Sequence, residues 1–347
     1  MTFKRFSFLF FVSFNLLTAQ QNPSINIKPL LNSKSNFRAI AVLNDSTVWF
    51  ANSSGKVGQV SINKSLAYYT FKDSFKKHFR AIGSTKDALF ALTIESPARL
   101  YKFTKNDFNQ PAQLTYSEKH PKAFYDAMHF LDNKIGIAMG DPTDKCLSII
   151  ITNDGGNSWE KKLCSDLPKS FDGEAAFAAS NTNIATYKNT IWIATGGLKS
   201  RIFISKNKGK TFKVYNTPFI QGKSTTGIYT MAFYNAKNGF ICGGDYTDKN
   251  AEFNNKALTT NGGKTWKIVA NNTLPGYISC VQYIPNSKGK KLMAVSTEGI
   301  YYSKNAGKNW DKLNDKGFYT IRFADKNTAF LGGRGTISIL ELTYKND

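Results

Sequence analysis

Eight residues, TNDGGNSW at 152 to 159, constrain this chain more than any other stretch. Their spacing combines a tight turn with a packing contact. Asp154 can accept hydrogen bonds from the N–H groups of its own turn, Gly156 takes a φ that a Cβ would resist, and Trp159 fills the gap beside a neighbouring unit. The turn recurs as SKNKGKTF at 205 to 212, TTNGGKTW at 259 to 266 and SKNAGKNW at 303 to 310. Asn207, Asn261 and Asn305 stand in for the aspartate, Gly209, Gly263 and Gly307 keep the glycine, and Phe212, Trp266 and Trp310 keep the aromatic ring. Asparagine makes the same turn bonds, so four such turns in order predict a repeat architecture.

The repeat is visible in the strands as well. Around the first turn, YDAMHF, IGIAM, LSIII and SWEKK read as four short strands separated by turn formers. Comparable units begin near Phe37, Phe79, Phe124, Glu174, Ile228, Tyr277 and Phe318, at intervals of 41 to 54 residues, which suits four strands plus loops. The seventh unit ends after its third strand, TISILEL, and INIKPLL at 25 to 31 supplies the missing one. The reading is an all-β, seven-bladed propeller of four-stranded antiparallel blades over residues 20–347, closed by its own N-terminal strand so that no free edge remains. A monomer is expected.

Lys4 and Arg5, the apolar run from Phe6 to Leu17 and Thr18-Ala19-Gln20 read as a signal peptide over 1–19. The apolar run is short for a membrane anchor, and no later run is long enough to span a bilayer. The expectation is an exported protein, periplasmic or extracellular. The net charge of +22 comes mostly from lysine. Spread this evenly, lysine makes a solvated surface, or it attracts an anionic glycan, an acidic protein segment or an anionic surface. Export disfavours nucleic acid as a partner. Four cysteines in an exported chain invite pairing. Cys146 and Cys164 lie symmetrically about Gly155 at the centre of a hairpin, which predicts a disulfide, while Cys242 and Cys280 fall on different blades and are expected to be buried thiols.

The four turns follow the Asp-box pattern S/T-x-D-x-G-x-x-W and resemble the bacterial neuraminidase repeat. The whole chain is similar to propellers of the photosystem II stability/assembly factor type. Within that group it resembles exported bacterial chains through FYDAMHF at 124, GIAMGDP at 136, GEAAFAAS at 173, ATGG at 194, GGDY at 243 and GYISCVQY at 276. The resemblance implies a seven-bladed propeller, in a group labelled generically as assembly factor or oxidoreductase. The chain carries no glycine fingerprint between strand and helix and no haem or flavin attachment pattern, so no cofactor is expected and the oxidoreductase label has no motif behind it. A sialidase would carry one early F/Y-R-I-P segment. Here FRAI occurs at 37 and again at 79, as a blade signature does, and sialidases have six blades rather than seven.

Strand polarity gathers a set of charges at one mouth of the channel, called the top. Arg38, Arg80, Asp126 and Glu174 are read as starting innermost strands; Glu95, Arg99, Asp141, Asp144, Arg201, Asp245, Tyr246 and Arg334 fall on top loops. Beyond residue 19, Arg322 alone among the arginines lies outside this set. In a lysine-rich chain that matters, because arginine offers a planar fork for carboxylates or phosphates. As a binding module, the mouth holds an anionic group with Arg38 and Arg80, and with Arg99, Arg201, Tyr246 and Arg334 around them. As an enzyme, Asp126 with Glu174, or Asp141 with Asp245, are the acid/base candidates of a glycoside hydrolase or lyase. In a third reading the charges pair with one another and brace the channel. His78, His120 and His129 are scattered without metal spacing, so no metal is expected.

Overall fold

Second strands such as ALFALT at 88–93 and TIWIA at 190–194 are almost wholly apolar. They are buried along almost their whole length, as strands covered by neighbouring blades on both faces must be. The computed structural model describes residues 22–344, and the expected export signal lies outside them. Seven antiparallel blades of four strands surround a central channel. From inside outward, blade 1 is Ala39–Asn44, Thr47–Ala51, Val57–Ser61 and Leu66–Tyr69. Blades 2 and 3 have innermost strands Phe79–Ser84 and Tyr125–Phe130. Blades 5, 6 and 7 begin with Thr226–Phe233, Cys280–Tyr283 and Thr320–Phe323.

Blade 4 departs from the expected pattern. Its innermost strand is Ile184–Tyr187, ten residues after Glu174. Glu174–Ala175 instead forms a two-residue bridge to Gly196–Gly197, and Gly196 pairs with Gly227 of blade 5. The physical reason lies in AAFAAS itself. It has no β-branched residue, and its small side chains let the backbone leave the blade and enter the channel.

Ring closure is made by chain ends. Ser24–Asn36 lies antiparallel on Arg334–Thr343, from Ser24 opposite Thr343 to Asn36 opposite Arg334 with register shifts after Pro29 and Asn32, and forms the outer strand of blade 7. The turns at 152–159 and its three relatives sit at the opposite end from the charged mouth. Asp154 Oδ1 accepts from the N–H groups of Asn157 and Ser158 at 3.0 and 3.1 Å. Asn207, Asn261 and Asn305 accept from Thr211, Thr265 and Asn309 at 3.0, 3.0 and 2.9 Å. Gly156 and Gly307 both have φ of +80°, and a Cβ there would collide with the rings of Phe90 and Phe240 in the preceding blade. Trp266 and Trp310 donate their indole N–H to Gly263 and Gly307 carbonyls, while the Trp159 N–H has no partner among the described residues. Cys146 and Cys164 form a disulfide with Cα atoms 5.5 Å apart, and Cys242 and Cys280 are buried thiols.

Candidate binding mouth and the segment that closes the channel

The residues between the Glu174 bridge and blade 4 bond to all six other blades. Ala178 and Ala179 carbonyls accept from Arg80 and Arg38 of blades 2 and 1, each at 3.2 Å. The Ser180 carbonyl accepts from Arg322 of blade 7 at 2.7 Å, and Ser180 Oγ donates to the Ser279 carbonyl beside blade 6 at 2.6 Å. Asn181 donates to the Ile82 carbonyl of blade 2 at 2.9 Å and accepts from the Met128 N–H of blade 3 at 2.8 Å. The Thr182 carbonyl accepts from Met231 of blade 5 at 3.0 Å. Backbone polar groups inside a channel need such partners, and here the surrounding blades supply them. The result is a plug across the channel at mid-height.

Above the plug, Arg38 and Arg80 stand close enough that Arg38 adds to burial in holding the Arg80 guanidinium below its usual range. Arg38 lies 3.8 Å from the Tyr319 ring centre, and Arg80 Nε–H donates to His78 at 3.2 Å. Among the described residues neither makes an ion pair within 4.0 Å. Beside them Phe177 stacks on Tyr229 at 3.9 Å, Tyr277 meets Tyr229 edge-on at 5.0 Å, and the exposed Tyr246 ring lies 6.5 Å from Tyr229. The mouth is therefore a cationic pair walled by tyrosines, with a floor of plug backbone.

The carboxylates are not paired as expected. Glu174 and Arg201 are both buried and joined by two bonds, one from Arg201 Nε at 2.9 Å and one from Nη2. Thr195 and the Phe171 N–H complete Glu174, and the Lys169 carbonyl and the Phe171 ring complete Arg201. Both Glu174 oxygens are thereby bonded to protein and Arg201 commits Nε and Nη2, so these two expected site residues are held against each other as an internal ion pair. Asp245 receives the Thr247 N–H and hydroxyl at 2.9 and 2.6 Å, which outweigh its partial burial and keep its carboxyl below the usual range. It belongs to blade 5 and Asp141 to blade 3, so that pair is separated by a whole blade.

What the hairpin of blade 3 does bring together is Asp126 and Asp141. Tyr125 lies opposite Gly140, and the Asp141 N–H donates to the Phe124 carbonyl at 2.8 Å. Asp126 is fully buried with both oxygens unpartnered among the described residues. Burial and then the neighbouring Asp141 raise its pKa well above the carboxylate range, against the pull of Arg80. Burial raises Asp141 to about 6, although its Oδ1 accepts the Ala176 N–H at 2.7 Å.

Of the remaining expected residues, Arg99 stacks on Phe75 at 3.9 Å and the exposed Arg334 opens the third strand of blade 7. Sequence reasoning left Arg322 out of the site, yet it holds the plug from below. Its only sequence signal was the plug itself, a run of small residues where a strand was due. No three His, Cys, Asp or Glu side chains among the described residues are grouped to hold a metal, and no described helix is long and apolar enough to cross a membrane.

No family model matches the chain, and no curated protein matches it. Solved structures do. YCF48 bound to D1 peptide superposes with a TM-score of 0.64 at 12% identity, covering 94% of this chain and 96% of that one. YCF48 from Cyanidioschyzon merolae gives 0.62 at 14% identity over 91% and 98%. The WD40 propeller domain of Doa1 gives 0.59 at 10% over 94% and 98%. The chain thus shares the propeller fold of YCF48 over nearly its whole length.

Proposed function

We propose that this protein is an exported binding or assembly propeller that holds a carboxylate-bearing segment of a protein partner at its upper mouth. The observation that carries this reading is the Arg38 and Arg80 pair: two half-buried guanidinium groups, side by side, with no carboxylate partner within 4.0 Å among the described residues. Each uses an Nη1 donor on the plug, which fixes its orientation and leaves other donors for a ligand. Tyr246, exposed beside the pair, offers a ring face to the rest of a peptide. A similar propeller, YCF48, has been solved with a D1 peptide, which supports a protein segment rather than a glycan. The turns at 154–159 and their Asp-box-like relatives use their polar atoms on themselves and serve the fold.

A hydrolase or lyase reading rests on Asp126 and Asp141, since a carboxyl with a pKa of about 6 suits a general acid. Asp126 has no accessible surface, so it cannot touch a substrate in this arrangement. Binding is the better supported reading.

The test is titration of the protein, lacking residues 1–19, with an acidic peptide and with the same peptide amidated and neutralised. Tight binding of the acidic peptide alone is expected, weakened at least tenfold, about 1.4 kcal/mol, in the Arg38→Lys/Arg80→Lys double variant. Equal binding of both peptides, or binding that ignores the double variant, overturns the assignment. Preference for an acidic oligosaccharide would replace the peptide with a glycan.

A further inference from the structure

Below the plug the channel opens into a cavity of about 540 Å³, to which all seven innermost strands contribute. That is within the range of small-molecule sites. Small side chains at Ala41, Gly83, Ala185 and Ala232 keep it open, and Phe130 and Phe233 give it apolar walls. No aspartate or glutamate lines it.

Its one charged group is Arg322, whose guanidinium carries five N–H donors. Nη1 bonds to Thr320 Oγ1 at 2.7 Å, the Ile321 carbonyl at 2.8 Å and Cys280 Sγ at 3.3 Å, and Nη2 bonds to the Ser180 carbonyl at 2.7 Å. Nε–H and one Nη2 hydrogen are left without a partner among the described residues, and no carboxylate lies within 4.0 Å. All four acceptors are neutral, so the charge is held in place but not compensated. His129 exposes its ring to the cavity but not to the outer surface; enclosure by the surrounding blades, and then the Arg322 charge, push its pKa down to about 4, so it stays uncharged at neutral pH and offers one donor and one acceptor. Gln282 uses Oε1 on the Phe323 N–H at 3.0 Å and keeps its amide hydrogens. A fixed cation with a free two-donor edge, beside apolar walls and without any acidic side chain, matches an anionic head on an apolar body.

We propose that this lower cavity is a second ligand site, separate from the upper mouth, which takes a small organic monocarboxylate with its carboxylate on Arg322 and its apolar body against the Phe130 and Phe233 walls. The plug separates the two sites, so occupancy of one leaves the other open.

The experiment compares phenylacetate with phenylacetamide, which has the same shape and no charge, by calorimetry and thermal shift on the protein lacking residues 1–19. Phenylacetate is expected to bind and raise the melting temperature, and phenylacetamide to bind at least tenfold more weakly. Arg322→Gln removes the charge but also a plug contact. Ala185→Leu, which narrows the cavity without touching Arg322, therefore serves as the second variant and is expected to abolish phenylacetate binding. Saturating acidic peptide is expected to leave phenylacetate binding intact, which distinguishes this site from the mouth; displacement of phenylacetate by the peptide would place it in the mouth and overturn the proposal. Equal binding of acid and amide, no binding of either, or unchanged binding in Ala185→Leu overturns the proposal.

Discussion

Glu174 and Arg201 form a buried ion pair in which both carboxylate oxygens and the Nε and Nη2 groups of the guanidinium are bonded to protein. Such a pair contributes little relative to a well-packed apolar pair, but losing one member strands the other charge. Glu174→Ala is therefore expected to cost about 3–5 kcal/mol in denaturant unfolding. A cost below about 1 kcal/mol would show that water reaches Arg201.

Asp141 predicts an unusual pH dependence. Its folded pKa of about 6 is above the ordinary aspartate value of about 3.9, so its contribution to stability is full below about pH 4 and is lost as pH rises through 6. Asp141→Asn keeps the Oδ1 acceptor for Ala176 and removes the ionisation. The variant is expected to be more stable than the parent by about 3 kcal/mol at pH 7.5, with the gap closing toward pH 4. A gap that is constant across pH 4 to 8 in thermal melts would mean that Asp141 titrates normally.

Ring closure by Ser24–Asn36 predicts that removing this strand destabilises the whole ring. Deleting it exposes the edge of Arg334–Thr343 and removes cross-strand pairs along blade 7. Several kcal/mol of stability and a loss of solubility are expected. A truncated protein that melts at the parent temperature and stays monodisperse in size-exclusion chromatography would contradict this.

Asn305 and Asn261 test the turns. Either replaced by Ala loses its bond to the N–H four residues on, at 2.9 or 3.0 Å, and is expected to cost about 1 kcal/mol with peptide and phenylacetate binding unchanged. If ligand binding falls with either variant, the turns take part in recognition.

The propeller was legible because its signals are local. Gly156 and Gly307 need positive φ and contact with one particular ring, and Ile25 to Leu31 has strand character where a strand is missing. Arg38 and Arg80 were legible at the mouth because strand polarity alone places them. The carboxylates were not, because their roles depend on partners far away in sequence: Glu174 on Arg201, Asp126 on a hairpin bulge that brings it to Asp141. Arg322 was missed for the same reason, since its importance comes from Ser180, 142 residues away. A segment that reads as a strand by position became a plug because nothing in AAFAAS favours extended pairing over hydrogen bonds to the surrounding blades.

The plug also changes how the ring must behave as a folding unit. Repeat proteins ordinarily couple only nearest neighbours, so units can be added, removed or unfolded from an end. Here one short segment from the middle of the chain acts as a hub to which every other blade is tied, and blades that share no interface still share that hub. The number of blades is thereby fixed at seven, because a ring of any other circumference would leave the hub's carbonyls and amides facing empty space.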